Sequence, residues 1–306
     1  LDALYVAIRG KKVNWILDMD LKGFFDNIDK EHRMEMVERR SADTRILRWI
    51  RNWLNAGVIE EGKGSETEKG TPQGAVISPL LANIYLHYVL DQWTDQWRWN
   101  APGDVILVRY ADDAVIGLQH HYEAEQFRKD LREQLRRYGL ELNEEKTRLI
   151  RFGRFARQNR DERGAGKPES FTFLGFQHIC AENSLGRFEI RRIPDGDRRR
   201  QKLQAIRQET RRRLHAPVAQ VGGWLRSVLN GYYQYHAVPG NLTVLKRFRR
   251  QLARSWFHAL AQRRPRRPTW EQLGKLFDQW LPEPKVVHEY PDARFHASRR
   301  AAAYPK

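Results

Sequence analysis

Two adjacent aspartates, Asp112 and Asp113, lie between two short apolar runs and restrict the local fold more than any other feature of the chain. The runs, Val105–Val108 and Ala114–Ile116, are rich in β-forming residues, so the sequence predicts two strands joined by a tight turn. Neighbouring carboxylates repel each other unless a cation screens them, and Mg²⁺ prefers oxygen ligands. Aspartate is also common in ordinary turns, so the pair alone indicates either a turn or a magnesium site.

A third carboxylate, Asp20, ends another strand-like segment. In Val13–Leu21 the residues alternate, which places Asp18 and Asp20 on one face of a predicted strand. Asp18 lies two residues before Asp20, further from the end of the strand, so the predicted metal site does not include it. In phosphoryl transfer with two metal ions, the ions lie about 3.5–4 Å apart, and carboxylates from separate strands must meet around them. Asp20 and the Asp112-Asp113 pair could supply these carboxylates.

A glycine-rich loop, residues 70–74, separates these strands and precedes a largely apolar segment predicted as a long helix over residues 76–98. The loop contains Gln73 and Gly74. Backbone N–H groups at a helix start can bind phosphate, so a nucleotide could bind there. By itself this pattern indicates only a turn before a helix.

The order of the motifs and the residues within them are together far more specific than any single motif. Asp20 with Phe25 five residues later is followed by Gly70-Thr71-Pro72-Gln73-Gly74, Tyr110-Ala111-Asp112-Asp113, Gly139–Thr147 and Phe173-Leu174-Gly175-Phe176. This series resembles the successive palm motifs of a reverse transcriptase, in the version found in group II intron reverse transcriptase/maturases. Gly231–Tyr235 is similar to the thumb or maturase region of that family. The resemblance covers essentially all 306 residues.

The resemblance implies a polymerase active site with two Mg²⁺ ions. Asp20, Asp112 and Asp113 would be the metal ligands, and Lys146 would donate a proton to the departing pyrophosphate. A lysine in this position could also be merely exposed. The substrate-binding residues implied are Phe25 under the sugar, Gln73 and Gly74 beside the incoming nucleotide, and Tyr110 and Ala111 at the turn near the primer end.

The hairpin Phe173-Leu174-Gly175-Phe176 would be the primer grip of this family, the element that holds the primer strand. An ordinary hairpin of the protein core is the alternative for these four residues.

The excess of positive charge is confined to the second half of the chain. Residues 1–150 contain 22 Lys and Arg against 25 Asp and Glu, whereas residues 151–306 contain 33 against 13. Such a basic region is typical of nucleic-acid binding, which gains from the release of counterions. Each cluster could also be a solvated helix face. The clusters are Arg198–Arg200, Arg211–Arg213, Lys246–Arg250 and Arg263–Arg267.

We predict an α+β fold: a reverse-transcriptase palm with an antiparallel sheet and packed helices, followed by an all-α thumb/maturase domain. Residues 1–192 would form the palm with partial fingers and the primer-grip hairpin, with a flexible loop at about 153–170. Residues 193–306 would form the basic helical thumb/maturase domain with a proline-rich tail. We expect the chain to be an N-terminally truncated member that lacks most of the fingers and any C-terminal endonuclease domain.

The single cysteine, Cys180, excludes disulfides and cysteine-rich zinc modules, and no run of about 18 apolar residues predicts a membrane helix. We therefore expect a bacterial cytoplasmic protein that is associated with the nucleoid or with RNA and has no membrane partner. The partners implied are intron RNA as template, a DNA primer or target, and deoxynucleoside triphosphates, with a homodimer as one option.

The resemblance implies RNA-directed DNA polymerisation together with a maturase role in intron splicing and mobility. One alternative is an RNA-binding splicing cofactor whose polymerase site is idle or incomplete because the fingers are missing. Another is a different reverse-transcriptase lineage, such as a retron or a diversity-generating element.

Overall fold

The computed structural model describes residues 1–24, 28, 30–55, 58–60, 63–65, 78–161, 166–263 and 268–303. The chain divides into two compact units. The first unit is Ala7–Glu169, and the second consists of Leu1–Val6 together with Ser170–Lys306. The predicted domain boundary after residue 192 is a functional assignment and stays a prediction.

The first unit is built on a four-stranded antiparallel sheet in the order β4-β5-β1-β6. Strand β1 lies within the alternating segment that predicted it. It pairs with β5 on one side and with β6 on the other. The strands are β1 (Trp15–Met19), β4 (Val105–Tyr110), β5 (Asp113–Leu118) and β6 (Arg148–Arg151). A separate two-stranded sheet pairs β2 (Val58–Glu60) with β3 (Lys63–Ser65).

Several helices of the first unit pack against this sheet and complete its core. The described helices that begin before residue 100 are α1 (Asp2–Gly10), α2 (Lys30–Glu38), α3 (Thr44–Asn55), α4 (Ser78–Leu86) and α5 (Trp93–Trp99). A π-helical segment, His87–Gln92, joins α4 to α5. Helix α6 (His121–Arg137) follows β5 and buries Phe127, Leu131 and Leu135 against the sheet core. The apolar stripe of α6 therefore anchors the sheet on which the acidic residues lie.

The second unit contains a three-stranded antiparallel sheet followed by helices. The strands are β7 (Ser170–Phe173), β8 (Phe176–Glu182) and β9 (Phe188–Pro194), in that spatial order. The helices are α8 (Gly196–Arg212), α9 (Val218–His236), α10 (Leu242–Ala261), α11 (Trp270–Trp280) and α12 (Pro291–Ala303). The α+β fold class, with strands first and helices later, is confirmed.

Side chains cap the first turns of α8 and α11. The Asp195 carboxylate accepts from the Arg198 N–H at 2.8 Å at the start of α8, as N-cap aspartates do. Thr269 and Gln272 form a reciprocal capping box at the start of α11, with N···O distances of 3.3 and 2.9 Å. Leu245, Leu252 and Trp256 of α10 are buried in the shared helical core, so hydrophobic packing holds the helices together.

Two segments contain helices that the sequence did not indicate. A short helix, α7 (Ala156–Asp161), lies inside the segment predicted as a flexible loop, and Ala156 is buried. Helix α12 lies within the proline-rich tail. Among the described residues, no helix is long and apolar enough to cross a membrane.

His178 in β8 makes the stability of the second unit depend on pH. Its side chain is fully buried and stacks on Phe171 with ring centroids 4.8 Å apart. Burial, assisted by the nearby Arg192 charge, lowers the pKa of His178 to about 3. The imidazole is therefore neutral in the folded protein, whereas in the unfolded chain it takes up a proton below about pH 6.5.

We expect the stabilisation from neutral His178 to be complete above pH 6.5 and to be lost as pH falls. Urea unfolding should show a loss of about 2 kcal/mol from this residue between about pH 7 and pH 5. His178→Phe should remove that part of the pH dependence. The pH dependence that remains in this variant would include a contribution from His236, because burial lowers the pKa of His236 to about 4. An unchanged slope in His178→Phe would contradict the assignment.

Candidate active site

The predicted turn between β4 and β5 is confirmed. The last pair of the hairpin is Tyr110 with Asp113, so Ala111 and Asp112 form its two-residue turn. Ala111 has a φ of +54°, in the left-handed region that L-residues other than Asn and Asp rarely adopt. Tyr110 is 67% exposed. The turn therefore presents the aspartates at the end of the sheet.

Antiparallel pairing brings Asp20 to the same end of the sheet. The register of β1 with β5 ends at the pair Met19 and Ala114. Asp20 is the next residue after Met19, and Asp113 directly precedes Ala114. The end of one strand and the start of the other therefore lie side by side.

The segment Asn143–Thr147 holds Asp20 from the other side. The Asn143 backbone N–H donates to the Asp20 carbonyl at 2.8 Å, and the Asn143 side-chain amide donates to the Asp20 carboxylate at 3.1 Å. Lys146 Nζ lies 3.7 Å from the same carboxylate oxygen, and its side chain is 70% exposed. Lys146 is therefore at the acidic end of the sheet, while its role as a proton donor stays a prediction.

Asp18 adds a further negative group to this end of the sheet. Its pKa is raised because the carboxyl is largely buried, although the ion pair with Arg148 at 3.2 Å opposes the shift. The charges of Asp113 and Asp20 raise the pKa of Asp18 further. Asp18 therefore lies in the electrostatic field of two of the predicted metal ligands.

Within the described ranges, no three His, Cys, Asp or Glu side chains are arranged to hold a metal ion. The Asp20 carboxylate contacts Asn143 and Lys146. The chemistry of the donor set nevertheless fits magnesium, because carboxylate oxygens from neighbouring strands are its usual protein ligands. The convergence of Asp20, Asp112 and Asp113 on two ions stays a prediction.

Three predicted substrate-binding residues lie outside the described residues. These are Phe25, Gln73 and Gly74. Their roles beside the sugar and the incoming nucleotide also stay predictions.

The predicted primer-grip hairpin is a two-residue turn in the second unit. Phe173 pairs with Phe176, and Leu174 and Gly175 have φ angles of +48° and +74°, which suit a tight hairpin of the primed type. The Tyr235 hydroxyl donates to the Leu174 carbonyl at 2.7 Å. Phe173 and Phe176 are buried, which is also what an ordinary core hairpin requires, so primer binding by this hairpin stays a prediction.

Sequence reasoning missed three residues near the Asp112 turn and Asp20. Asn143 belongs to the motif Gly139–Thr147, but nothing in that motif indicates that Asn143 contacts Asp20. Arg109 directly precedes Tyr110, yet nothing local indicates its partner Asp91, which lies in the π-helical segment. Only folding brings Arg109 and Asp91 together.

A family model described as reverse transcriptase (RNA-dependent DNA polymerase) matches residues 4–178. This match covers more than half of the chain, so the chain belongs to the reverse transcriptase family. Group II intron-encoded protein LtrA of Lactococcus lactis subsp. cremoris is 42% identical over 73 residues, 24% of this chain and 12% of that protein. This relative supports the group II intron reverse transcriptase/maturase class that the motifs predicted.

Two further comparisons extend over more of the chain. Protein YkfC of Escherichia coli (strain K12) is 32% identical over 208 residues, 58% of this chain and 50% of that protein. The solved structure of apo telomerase from Candida tropicalis matches 97% of this chain and 48% of that chain, with 14% identity and a TM-score of 0.51. This structural likeness supports the fold alone. The chain thus spans at most half the length of these relatives.

Proposed function

We propose that the chain acts as the RNA-directed DNA polymerase of a group II intron. The placement of Asp20 at the same end of the sheet as the Asp112-Asp113 turn is the observation that carries this proposal. The reaction would join a deoxynucleotide to a primer 3′-hydroxyl on an RNA template. The primer oxygen attacks the α-phosphorus, the bond to pyrophosphate breaks, and the hydroxyl proton passes to solvent water.

In this proposal Asp20, Asp112 and Asp113 would hold two Mg²⁺ ions. When bound, such ions supply charge stabilisation to the attacking and departing oxygens. Asn143 orients the Asp20 carboxylate through the 3.1 Å hydrogen bond. Lys146, through its Nζ, gives a proton to the departing pyrophosphate, and its exposure leaves that ammonium accessible.

The remaining assignments follow the family pattern. Tyr110 and Ala111 shape the turn at the primer end, Phe25 selects the deoxyribose, and Gln73 and Gly74 border the nucleotide. The hairpin from Phe173 to Phe176 holds the primer strand. The template would be intron RNA, and the primer a cytoplasmic DNA target during intron mobility.

Extension of oligo(dT) on poly(rA) tests the polymerase proposal. We expect incorporation of dTTP that requires Mg²⁺, and chelation of the metal should abolish it. A reaction lacking the primer is the matched control. Absence of incorporation by protein that binds the poly(rA)/oligo(dT) duplex would contradict polymerase activity for this chain and would leave the RNA-binding function below.

We also propose, as a second function, that the chain binds folded intron RNA as a splicing cofactor. The supporting observation is a basic cleft of about 550 Å³ between α8 and α10. Its cationic lining comes from Arg207 and Arg211 on α8 and from Arg254 on α10. Folded RNA is recognised largely through its backbone and shape, which such a lining suits.

The arginines of this cleft differ from Arg213 and Arg249 of the same unit. Arg207, Arg211 and Arg254 form no ion pair within the part of the chain that the structure describes. By contrast, Arg213 pairs with Glu209 at 2.8 Å, and Arg249 pairs with both Asp278 and Glu283. The charge of the cleft is therefore available to an external anion such as a phosphodiester.

A further inference from the structure

We propose that Arg109 is a positioning residue that sets the turn carrying Asp112, and that Asp91 in the π-helical segment holds Arg109 in place. This inference rests on the proposed polymerase function only for its consequence for nucleotide incorporation. Its structural part concerns the geometry of the turn itself. Neither residue is assigned a role by the motif pattern.

The contacts of the Arg109 guanidinium connect three separate parts of the first unit. Its Nε and Nη2 donate to the two carboxylate oxygens of Asp91 at 2.7 and 2.6 Å, a bidentate pair. Its Nη1 donates to the Ala111 carbonyl at 2.8 Å and to the Asn83 side chain at 2.9 Å. The planar fork of arginine fixes orientation as well as distance, so Arg109 is held rigidly against the turn.

The Ala111 backbone is the part of the turn that needs such support. Alanine gains nothing from a φ of +54°, and a residue other than glycine keeps this strained conformation only where the surrounding structure imposes it. The carbonyl of Ala111 itself accepts the hydrogen bond from Arg109. Asp112 is the next residue, so the direction of its carboxylate depends on the peptide that Arg109 holds.

The π-helical segment determines where Asp91 lies. A π-helical turn contains extra chain relative to an α-helix and often marks a functional site. Because each α-helical residue turns by about 100°, an inserted residue rotates everything that follows it. Val89 and Leu90 remain buried in the core, while Asp91 reaches Arg109 and also lies 3.5 Å from His87 Nδ1. An uninterrupted α-helix would place Asp91 in a different direction.

A purely structural ion pair is the competing explanation for these contacts. The side chains of Arg109 and Asp91 are only 12% and 27% exposed, and such pairs can be retained without any role in a reaction. The two explanations predict different results when both Arg109 and Asp91 are replaced by apolar residues. Stability should then recover, because neither charge is left unpaired, but the support of the Ala111 carbonyl would still be missing.

The test compares Arg109→Met, Asp91→Met and the double variant with the parent chain. We expect both single variants to melt at lower temperature and the double variant to recover most of that loss. Hydrogen exchange, measured by mass spectrometry on peptides covering the turn, should be faster in both variants that lack Arg109. In single-turnover primer extension these variants should be about 10- to 100-fold slower, because a displacement of about 1 Å can cost that much.

The KM for dTTP should stay near the parental value, since Arg109 does not contact the nucleotide in this proposal. Arg98→Met, which removes an ion pair with Asp95 elsewhere in the same unit, is the control and should match the parent in both measurements. Parental exchange at the turn in the double variant would overturn the inference. If the parent does not extend primers, the polymerase proposal fails, while hydrogen exchange still decides whether Arg109 positions the turn.

Discussion

Asp112→Asn should lower the rate of nucleotide incorporation by about 10³-fold or more, the largest effect that we expect from a single substitution. Asparagine keeps the size of the side chain and is well tolerated in turns, so the β4–β5 hairpin should fold normally. The change removes one negative charge from the predicted ligand set, which weakens binding of a divalent cation. RNA binding, which we assign to the basic second unit, should be retained.

Primer extension and RNA affinity should therefore be measured on the same preparation. Asp95→Asn, which alters an exposed aspartate of α5 that pairs with Arg98, is the matched control and should polymerise like the parent. Mn²⁺ titration followed by electron paramagnetic resonance adds a readout that does not depend on turnover. Undiminished extension by Asp112→Asn would count decisively against the proposed site.

The second large effect concerns the cleft between α8 and α10. Replacing Arg207, Arg211 and Arg254 with glutamine should weaken RNA binding about 10- to 100-fold at about 100 mM salt, because each lost phosphate contact also lessens the release of counterions. The slope of log affinity against log salt should become shallower by about 2–3 for the same reason. Filter binding or fluorescence anisotropy across a salt series would measure both quantities.

A second triple variant separates the cleft from general loss of charge. Arg98, Arg200 and Arg212 each pair with a carboxylate, namely Asp95, Asp197 and Glu209. Their replacement by glutamine changes the net charge by the same amount but leaves the cleft intact, so we expect a much smaller change in RNA affinity. Equal losses in the two triple variants would show that the cleft has no special role.

Local patterns in the sequence were sufficient for much of the fold. The alternation around Asp20 and the two apolar runs around Asp112 predicted β1, β4 and β5, because alternating residues and short runs of β-forming residues both favour strands. The motif order predicted the family, which the reverse transcriptase model over residues 4–178 confirms. The α7 helix was missed because it is only six residues long and lies in a charged segment without a clear apolar period.

The site was predictable only in part. Asp20, Asp112 and Lys146 were identified from motifs, and the structure brings Asp20 and Lys146 within 3.7 Å. Their catalytic roles are not established by that distance. The Arg109–Asp91 pair could not have been predicted, since it depends on a π-helical segment whose position has no distinct sequence signature among the apolar residues around it.

The sequence by itself determined the acidic motifs, the strands that carry them, the reverse transcriptase family and the excess of positive charge after residue 150. These depend on residue identity and on patterns that act over a few neighbours. Only the tertiary structure decided that Asn143 and Lys146 contact Asp20, that Arg109 supports the Ala111 carbonyl, and that three arginines lack a carboxylate partner among the described residues. Contacts between residues far apart in the chain follow from how helices and strands pack, and no local pattern encodes that packing.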